Sequence, residues 1–188
     1  MKINIVGLSG SLRQDSYNRK ALAVAQSIAC EAGADVREID LKTLNLPLYD
    51  GDIEKEGFPE NVEKIRSLVR EADVILFATP EYNHSVSGAM KNAIDWLSTG
   101  GENVLDGKFA SIFGASTGLY GTLRAQLHLR QILTALNVVM LPHPQVFIRT
   151  AREAFDENGS FKDQKVFNQL KLLIQKTMDL AVVIKNKS

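Results

Sequence analysis

The sequence predicts an α/β protein, a doubly wound three-layer sandwich around a five-stranded parallel sheet in the order 2-1-3-4-5. Two observations support this prediction. Short β-rich runs and helical runs alternate five times along the chain, and parallel strands need crossover connections, which here are helices. The third strand-like run, Asp73–Pro80, is nearly all apolar, as expected for a strand that is buried on both faces of a parallel sheet.

The first three elements follow from local patterns. The β-rich run INIVGLS, Ile3–Ser9, predicts the first strand. Apolar residues then recur at helical spacing over Asn18–Glu31, and Gly33 is the glycine expected just after a helix. The run DVREIDL, Asp35–Leu41, alternates polar and apolar residues and predicts the second strand.

After a longer connection the same alternation continues to the end of the chain. The remaining predicted elements are a helix over Glu60–Ala72, the strand Asp73–Pro80, a helix over Ser87–Leu97, a strand over Lys108–Ser116, a helix over Leu123–Leu136, a strand over Asn137–Pro142 and a helix over Lys165–Ile184. Ligands of such sheets bind outside the carboxyl ends of the strands, near the point where the strand order reverses. The loops after strands one, three and four are therefore the candidate binding loops.

Composition and charge exclude several classes of function. The chain has the length of one domain and no linker or repeat, so residues 1–188 are expected to form a single domain. The 22 basic and 22 acidic side chains cancel, so no overall field attracts nucleic acid or anionic lipid. No apolar run reaches the roughly 18 residues of a membrane span, and the N-terminus lacks the apolar core of a signal peptide. We therefore expect a cytoplasmic protein that binds neither nucleic acid nor membrane.

Few side chains suggest direct catalysis. Cys30 is the only cysteine, which excludes an internal disulfide and a cysteine-clustered zinc site. Its position in the apolar phase of the first helix predicts a buried, inert thiol. His84 is a lone loop histidine, which is more often solvated than catalytic. With no Ser-His-Asp set and no cluster of metal ligands visible, we expect no catalytic side chain and no metal.

The first candidate loop, GSLRQDSYN, predicts a phosphate site. Backbone amides and the positive end of the following helix can hold an anion without net charge. Ser11, Ser16 and Asn18 add short donors, and Arg13 offers a planar fork of N–H groups. Helix capping by Ser16 or Asn18 alone is the alternative, but it needs only one such residue. The loop lacks the GK[ST] ending of a Walker A motif and the GxGxxG of a dinucleotide fingerprint.

The second candidate loop begins after the most buried strand and reads TPEYNHSVSGAMKNAIDW. Pro80 and Tyr82 offer a stiff aromatic edge, while Glu81 and Asn83 offer mixed donors and acceptors. Such a set suits a flat heteroaromatic ring with alternating N–H and C=O groups, although a simple turn is an equal alternative. Downstream, Lys91 and Asp95 are spaced to pair on a helix surface, and Trp96 is expected in the core or in an interface.

The third candidate loop, GASTGLYGTLRAQ, is rich in glycine and contains the hydroxyls of Ser116 and Thr117. A flexible connection is again an equal alternative when this loop is considered alone. Arg124 could position a phosphate or pair with an acid of a neighbouring chain. Because the three loops meet at one sheet edge, a planar cofactor with one phosphate fits them together, and FMN is the obvious example.

Two of these stretches resemble a known family, the NAD(P)H-dependent FMN reductases, which include quinone, azo-dye and chromate reductases of the flavodoxin-like superfamily. GSLRQDSYN matches the family pattern GSxRxxSxN, and PEYNHSVSGAMKNAIDW matches PEYNxSxxGxxKNAIDW. The spacing agrees over nearly the whole chain. One departure is Thr122, which stands after Gly121 where many relatives have a second glycine, and it affects the wall of the nicotinamide and substrate pocket.

The resemblance implies a flavodoxin-like fold, FMN as cofactor, NADPH or NADH as electron donor, and a homodimer or homotetramer. It implies that Ser11, Arg13, Ser16, Tyr17 and Asn18 surround the FMN phosphate. It also implies that Pro80, Glu81, Tyr82 and Asn83 line the isoalloxazine and that Ser116 approaches it from the third loop.

The function expected from these implications is a hydride transfer from NAD(P)H to the flavin N5, followed by reduction of a small-molecule electron acceptor in a ping-pong cycle. Quinones, azo dyes, metal oxyanions and free flavin are the expected acceptors. A flavodoxin-type electron carrier is an alternative, but such carriers are usually acidic and this chain has zero net charge. A flavin redox sensor without NAD(P)H turnover is a further alternative, and a flavin-free hydrolase lacks a visible nucleophile.

Overall fold

The computed structural model describes residues 2–186 and confirms the predicted fold class. The strands are β1 (Asn4–Ser9), β2 (Asp35–Ile39), β3 (Val74–Ala78), β4 (Phe109–Ala115), β5 (Val139–Met140) and β6 (Val146–Ile148). The helices are α1 (Tyr17–Glu31), α2 (Leu41–Leu44), α3 (Gly51–Glu56), α4 (Glu60–Glu71), α5 (Gly88–Leu97), α6 (Leu123–Ala135), α7 (Ala151–Ala154) and α8 (Gln164–Lys185).

The strands form one parallel sheet in the order β2-β1-β3-β4-β5, as predicted. Strand β3 lies at the centre, and all five of its residues are buried. Strands β1 and β4 both pair in parallel with β3. Ile5 lies opposite Val74 on one side, and Phe109 lies opposite Val74 on the other. The carboxyl ends of β1, β3 and β4 therefore lie next to one another.

The two faces of the sheet carry separate cores. Side chains alternate along β3, so Val74 and Leu76 pack under α1 and α8, whereas Ile75 and Phe77 pack under α4, α5 and α6. This alternation on a strand without a polar face is the physical basis of the three-layer arrangement.

The fifth strand differs from the prediction of one run over Asn137–Pro142. Only Val139–Met140 pairs there, beside the first half of β4, and the chain then leaves the sheet through a segment with a cis His143–Pro144 bond. It returns as β6, which pairs with the second half of β4. The two proline residues at 142 and 144 interrupt the ladder, because proline has no N–H to donate.

The prediction of a buried Cys30 is wrong, since this residue is exposed. The inward stripe of α1 includes Ala25, Ile28 and Ala29. Cys30 follows Ala29 by one residue, which corresponds to a rotation of about 100° and places it on the outer face beside Glu31. Trp96, in contrast, is fully buried. Within residues 2–186, no helix is both long enough and apolar enough to cross a membrane.

Candidate functional site

Backbone hydrogen bonds bring the three predicted loops together at the carboxyl edge of the sheet. The amide of Gly10 donates to the carbonyl of Ala78 at 3.0 Å, and the amide of Thr79 donates to that of Phe113 at 2.9 Å. A cavity of about 140 Å³ lies between the loops. It is lined by Ser11, Arg13, Ser16, Tyr17, Asn18, Pro80, Glu81, Tyr82, Ala115, Ser116 and Thr117. Nine of the ten predicted site residues therefore surround one cavity, and Asn83 is the exception.

Ser16 is the N-cap of α1 and lies at the base of the cavity. Its Oγ accepts hydrogen bonds from the amides of Asn18 at 3.2 Å and Arg19 at 3.4 Å. Capping uses only the lone pairs of the hydroxyl, so its proton is left to donate to an anion. Capping and phosphate binding, the two interpretations of this residue, are thus physically compatible.

Arg13 is the cation of the first loop. Its side chain is exposed and forms no hydrogen bond or ion pair with another residue in the described part of the chain. Ser11 lies deeper, is only 5% exposed, and its hydroxyl has no protein partner among the same residues. A free guanidinium and a free hydroxyl at the cavity of an N-capped helix form a suitable set of donors for a phosphate monoester.

Asn18 serves the architecture as well as the cavity. Its Nδ2 donates to the carbonyl of Ala115 at 2.9 Å, and its Oδ1 accepts from the amide of the same residue at 2.8 Å. This pair of bonds joins the start of α1 to the end of β4 and satisfies two buried backbone groups. One N–H of the Asn18 amide remains for a ligand, so its predicted contact with phosphate stays a prediction.

The aromatic ring of Tyr17 closes one side of the cavity. It stacks on Phe155 with a centroid distance of 6.0 Å, and the ammonium group of Lys20 lies 5.8 Å from its centroid. Phe155 follows α7, a helix that the sequence analysis did not predict because four residues are too few for a periodic pattern.

The second loop contains a tight turn at Tyr82–Ser85. Tyr82 and Ser85 exchange two backbone hydrogen bonds of 3.1 and 3.0 Å, and the two residues between them, Asn83 and His84, both have positive φ angles. Positive φ angles favour asparagine, and Asn83 is not among the residues that line the cavity. Tyr82 and Pro80 both line the cavity, and Tyr82 is 47% exposed whereas Pro80 is buried. The predicted contact of Asn83 with a ring stays a prediction.

Glu81 connects the second loop to α6. One oxygen of its carboxylate accepts from the amides of Arg124 at 3.0 Å and Ala125 at 3.3 Å, and the other accepts from the Arg124 guanidinium at 3.3 Å. A carboxylate at a helix N-terminus is stabilised by the free amides and by the helix dipole. Arg124 therefore pairs with an acid of its own chain, which is neither of the two roles that its sequence position suggested, and it also covers the ring of Tyr120.

The third loop is held in place rather than free. The amide of Ser116 donates to the carbonyl of Ile148, and the carbonyl of Ser116 accepts from Ala151, each at 3.0 Å. Thr122 has a φ of 69°, an unusual value for a β-branched residue, and its side chain is fully buried. The departure from the family pattern thus lies at a strained position between the loop and α6.

The motif KNAIDW anchors the connection between β2 and α4. Asn92 and Trp96 both donate to the carbonyl of Pro47 at 2.8 Å, and Asn92 Oδ1 accepts from the amide of Tyr49 at 2.7 Å. The Lys91–Asp95 pair lies on the exposed side of the same helix. The sequence analysis did not predict this anchoring role. The only sign of it in the sequence is an amide and an indole that lie one turn apart on α5.

These observations test whether the residues fit FMN. The cavity is smaller than the roughly 300 Å³ of common ligand pockets, so it suits the phosphate and its chain, and a flavin ring would extend over its open side beside Tyr82. The donors lie on the α1 side, and Pro80 and Tyr82 offer flat surface on the other. The residues therefore fit a flavin with a terminal phosphate.

Comparisons with known proteins give the same result. The family described as NADPH-dependent FMN reductase matches residues 3–153. An NAD(P)H-dependent FMN reductase of Pseudomonas aeruginosa is 47% identical over 87% of this chain and 86% of its own length. A quinone reductase of Escherichia coli K12 is 38% identical over 90% of both chains. The solved structure of FerB, a flavoenzyme NAD(P)H:(acceptor) oxidoreductase from Paracoccus denitrificans, has a TM-score of 0.86 at 33% identity and covers 95% of this chain and 97% of its own.

The family match covers the three loops of the candidate cavity and all six strands of the sheet, and the relatives match over most of their length. The chain therefore belongs to the NADPH-dependent FMN reductase family, whose members use NAD(P)H as electron donor and FMN as flavin.

Proposed function

We propose that the cavity between the three loops holds the phosphate of FMN and that the isoalloxazine lies across its mouth. The observation that carries this proposal is the convergence of Ser11, Arg13 and Ser16, which come from one loop, with Tyr82 and Ser116, which come from two others, around one cavity. The free guanidinium of Arg13 and the hydroxyls of Ser11 and Ser16 bind the phosphate. Pro80 and Tyr82 support the ring, with Glu81 positioning the loop that carries them.

FMN bound there supplies a hydride acceptor at N5 and an electron donor for a second substrate. The chain's own residues bind and orient the reactants. Tyr82 and the turn at Tyr82–Ser85 define one wall of the reaction space, and the anchored backbone around Ser116 defines the other. Backbone amides of these two loops are the donors available for charge that builds on the pyrimidine side of the ring. No side chain is required as a nucleophile, and we assign no catalytic residue.

We further propose a ping-pong cycle with a small-molecule acceptor. NAD(P)H binds, gives its hydride and leaves, and an oxidised acceptor then enters the same space. Quinones are the acceptors best supported, because relatives from Escherichia coli and Solanum tuberosum are named quinone reductases. Azo dyes, metal oxyanions and free flavin are further acceptors that a shallow, open site could admit.

We propose in addition that the protein is a homodimer or a homotetramer. The rim of the third loop and the outer side of α6 expose Leu119, Tyr120 and Leu127, each more than half accessible. Such a group of large apolar side chains is typical of a protein–protein contact. Sedimentation equilibrium of the purified protein tests this, and a monomer at every concentration would contradict it.

A visible absorption spectrum tests the central proposal. Protein mixed with FMN and freed of excess is expected to keep the flavin bands, and anaerobic NADPH or NADH is expected to bleach them. Addition of a quinone should then restore the bands. Retained flavin that neither donor can bleach would indicate a carrier or a sensor. A protein that neither retains FMN nor turns over free FMN would contradict the flavin site.

A further inference from the structure

A groove continues from the candidate flavin cavity along the β1 and α5 side of the sheet edge. A cavity of about 340 Å³ shares Arg13 and Tyr82 with the flavin cavity. A second cavity, of about 330 Å³, shares Leu12, Gly88 and Ala89 with the first and reaches Leu48. We call these two connected cavities the lateral groove. Its space is far larger than a quinone ring or an oxyanion needs, so it suits an extended ligand.

The charges that line the lateral groove are all positive. Arg13 lies at the flavin end, Lys42 lies at the far end, and no carboxylate is among the lining residues. Neither cation forms an ion pair within residues 2–186. The proposed FMN site uses Arg13 for the flavin phosphate, so Lys42 is the cation that remains for a second anion. The groove therefore favours a ligand that carries an anionic group at its far end.

The acid nearest to Lys42 in sequence does not neutralise it. The carboxylate of Asp40 accepts from the Lys42 amide at 3.0 Å, from the Thr43 hydroxyl at 3.1 Å and from the Arg19 guanidinium at 3.2 Å. Burial raises the pKa of Asp40, but the hydrogen bonds and the charge of Arg19 together outweigh burial. The pKa therefore lies below its usual value, and the carboxylate stays ionised and bound to these partners. The ammonium group of Lys42 is left for an external anion.

The far end of the lateral groove also has a firm apolar wall. Leu41, Leu46 and Leu48 line it, and Leu48 is 81% exposed, which is costly for such a side chain unless a ligand or partner covers it. The segment is not loose, because Asn92 and Trp96 hold the carbonyl of Pro47. An apolar wall next to the amides of Asn45 and Asn92 and one cation is suited to a purine nucleotide.

We propose that the lateral groove binds the adenosine half of the dinucleotide donor and that Lys42 contacts its 2′-phosphate, so that the enzyme prefers NADPH to NADH. The proposal rests on the flavin site proposed above, because the nicotinamide must reach the flavin while the rest of the donor extends along the groove. The 2′-phosphate carries a charge of about −1.5 to −2 at neutral pH, and it is the only group that distinguishes the two donors. A neutral quinone would gain nothing from the charge of Lys42.

Steady-state kinetics with both donors test the role of Lys42. We expect the wild-type protein to have a lower KM for NADPH than for NADH. Lys42→Ala should raise the ratio of the KM for NADPH to the KM for NADH about tenfold, because one charge-assisted contact is lost. Lys42→Arg, which keeps the positive charge, should retain most of the preference for NADPH. Lys64→Ala, which removes an exposed lysine on α4 outside the groove, should leave the ratio unchanged. A wild type without preference, or an unchanged ratio in Lys42→Ala, would overturn the proposal.

Calorimetric titration of the FMN-loaded protein with adenosine 2′,5′-bisphosphate gives a second readout that needs no turnover. The wild type should bind this probe more tightly than 5′-AMP, and Lys42→Ala should bind the two nucleotides with nearly equal affinity. Equal affinities in the wild type would contradict the assignment of Lys42. Oxidation of NADH by both proteins would show that the reductase function stands even if this assignment fails.

Discussion

At the scale of single residues, Arg13 and Ser16 separate phosphate binding from ring binding. Riboflavin has the same ring as FMN but lacks the phosphate. Arg13→Ala should therefore weaken FMN binding by roughly 10- to 100-fold, the value of a lost charged hydrogen bond, and should leave riboflavin binding nearly unchanged. Fluorescence titration of both flavins measures this, and equal losses for both would refute the phosphate assignment.

Ser16 allows a matched variant because it has two roles. Aspartate is as good an N-cap as serine, so Ser16→Asp keeps the start of α1 while it removes the hydroxyl donor and adds a negative charge. We expect FMN binding to fall at least as far as in Arg13→Ala, with little change in the free energy of unfolding. A variant that keeps its stability and also binds FMN normally would show that Ser16 acts only as a cap.

Asn18 is a buried residue on which the sheet edge depends. Asn18→Leu leaves the amide and the carbonyl of Ala115 without their partners, and we expect a loss of about 2 kcal/mol in the free energy of unfolding. Asn18→Asp keeps an acceptor for the Ala115 amide but places a carboxylate against its carbonyl, so it should be at least as damaging. Urea unfolding of both variants measures these losses, and values within error of the wild type would show that water replaces the amide.

At the scale of elements, the third loop depends on close contact between β4 and the residues around Thr122. A Cβ atom on Gly114 would lie 2.2 Å from both the Thr79 carbonyl oxygen and the Thr122 hydroxyl. Since backbone cannot rotate away, Gly114→Ala should destabilise the protein by about 2 kcal/mol or more.

Gly118→Ala is the matched control, because its added Cβ would meet only the Ser116 hydroxyl at 3.4 Å and its φ is not positive. Thermal unfolding should show a lower midpoint for Gly114→Ala and almost none of this change for Gly118→Ala. Equal midpoints would mean that β4 and the Thr79 backbone separate at little cost, and that the third loop is less fixed than its hydrogen bonds imply.

At the scale of the whole molecule, carboxylates in separate places share a response to acid. Hydrogen bonds from Thr99 and Tyr49 lower the pKa of Glu54 below its usual 4.5, and a hydrogen bond from Arg70 lowers that of Glu102. The unfolded chain then binds more protons than the native protein as pH falls through about 4.5, so stability is complete above this pH and declines below it.

Glu54→Gln should make that decline shallower, because an amide does not titrate. Guanidinium unfolding between about pH 7 and about pH 3.5 measures the dependence. The control is Glu56→Gln, which removes an exposed carboxylate that has no hydrogen-bond partner in the part of the chain that the structure describes. Identical pH dependence in the wild type and Glu54→Gln would show that the hydrogen bonds of Glu54 with Tyr49 and Thr99 do not stabilise the native protein.

The limits of the sequence-based predictions follow from the range of the interactions involved. The long helices and the central strands were predicted to within about two residues, because each has enough turns or alternations to show its period. The short helices α2, α3 and α7 and the strand β6 were not predicted, since three to six residues carry no period and are held by partners distant in the chain.

The sequence alone determined the layered α/β fold, the edge of the sheet at which the loops meet, and nine of the eleven residues that line the cavity, because these depend on local periodicity and on short contiguous motifs. Only the tertiary structure decided which donors stay free. Within residues 2–186 Arg13 has no side-chain partner, whereas Glu81 binds the amides at the start of α6 and Asn18 binds Ala115. Asn83 lies in a turn outside the cavity lining. Hydrogen bonds across 43 to 97 positions of the chain make these assignments, and such distances leave no trace in a local pattern.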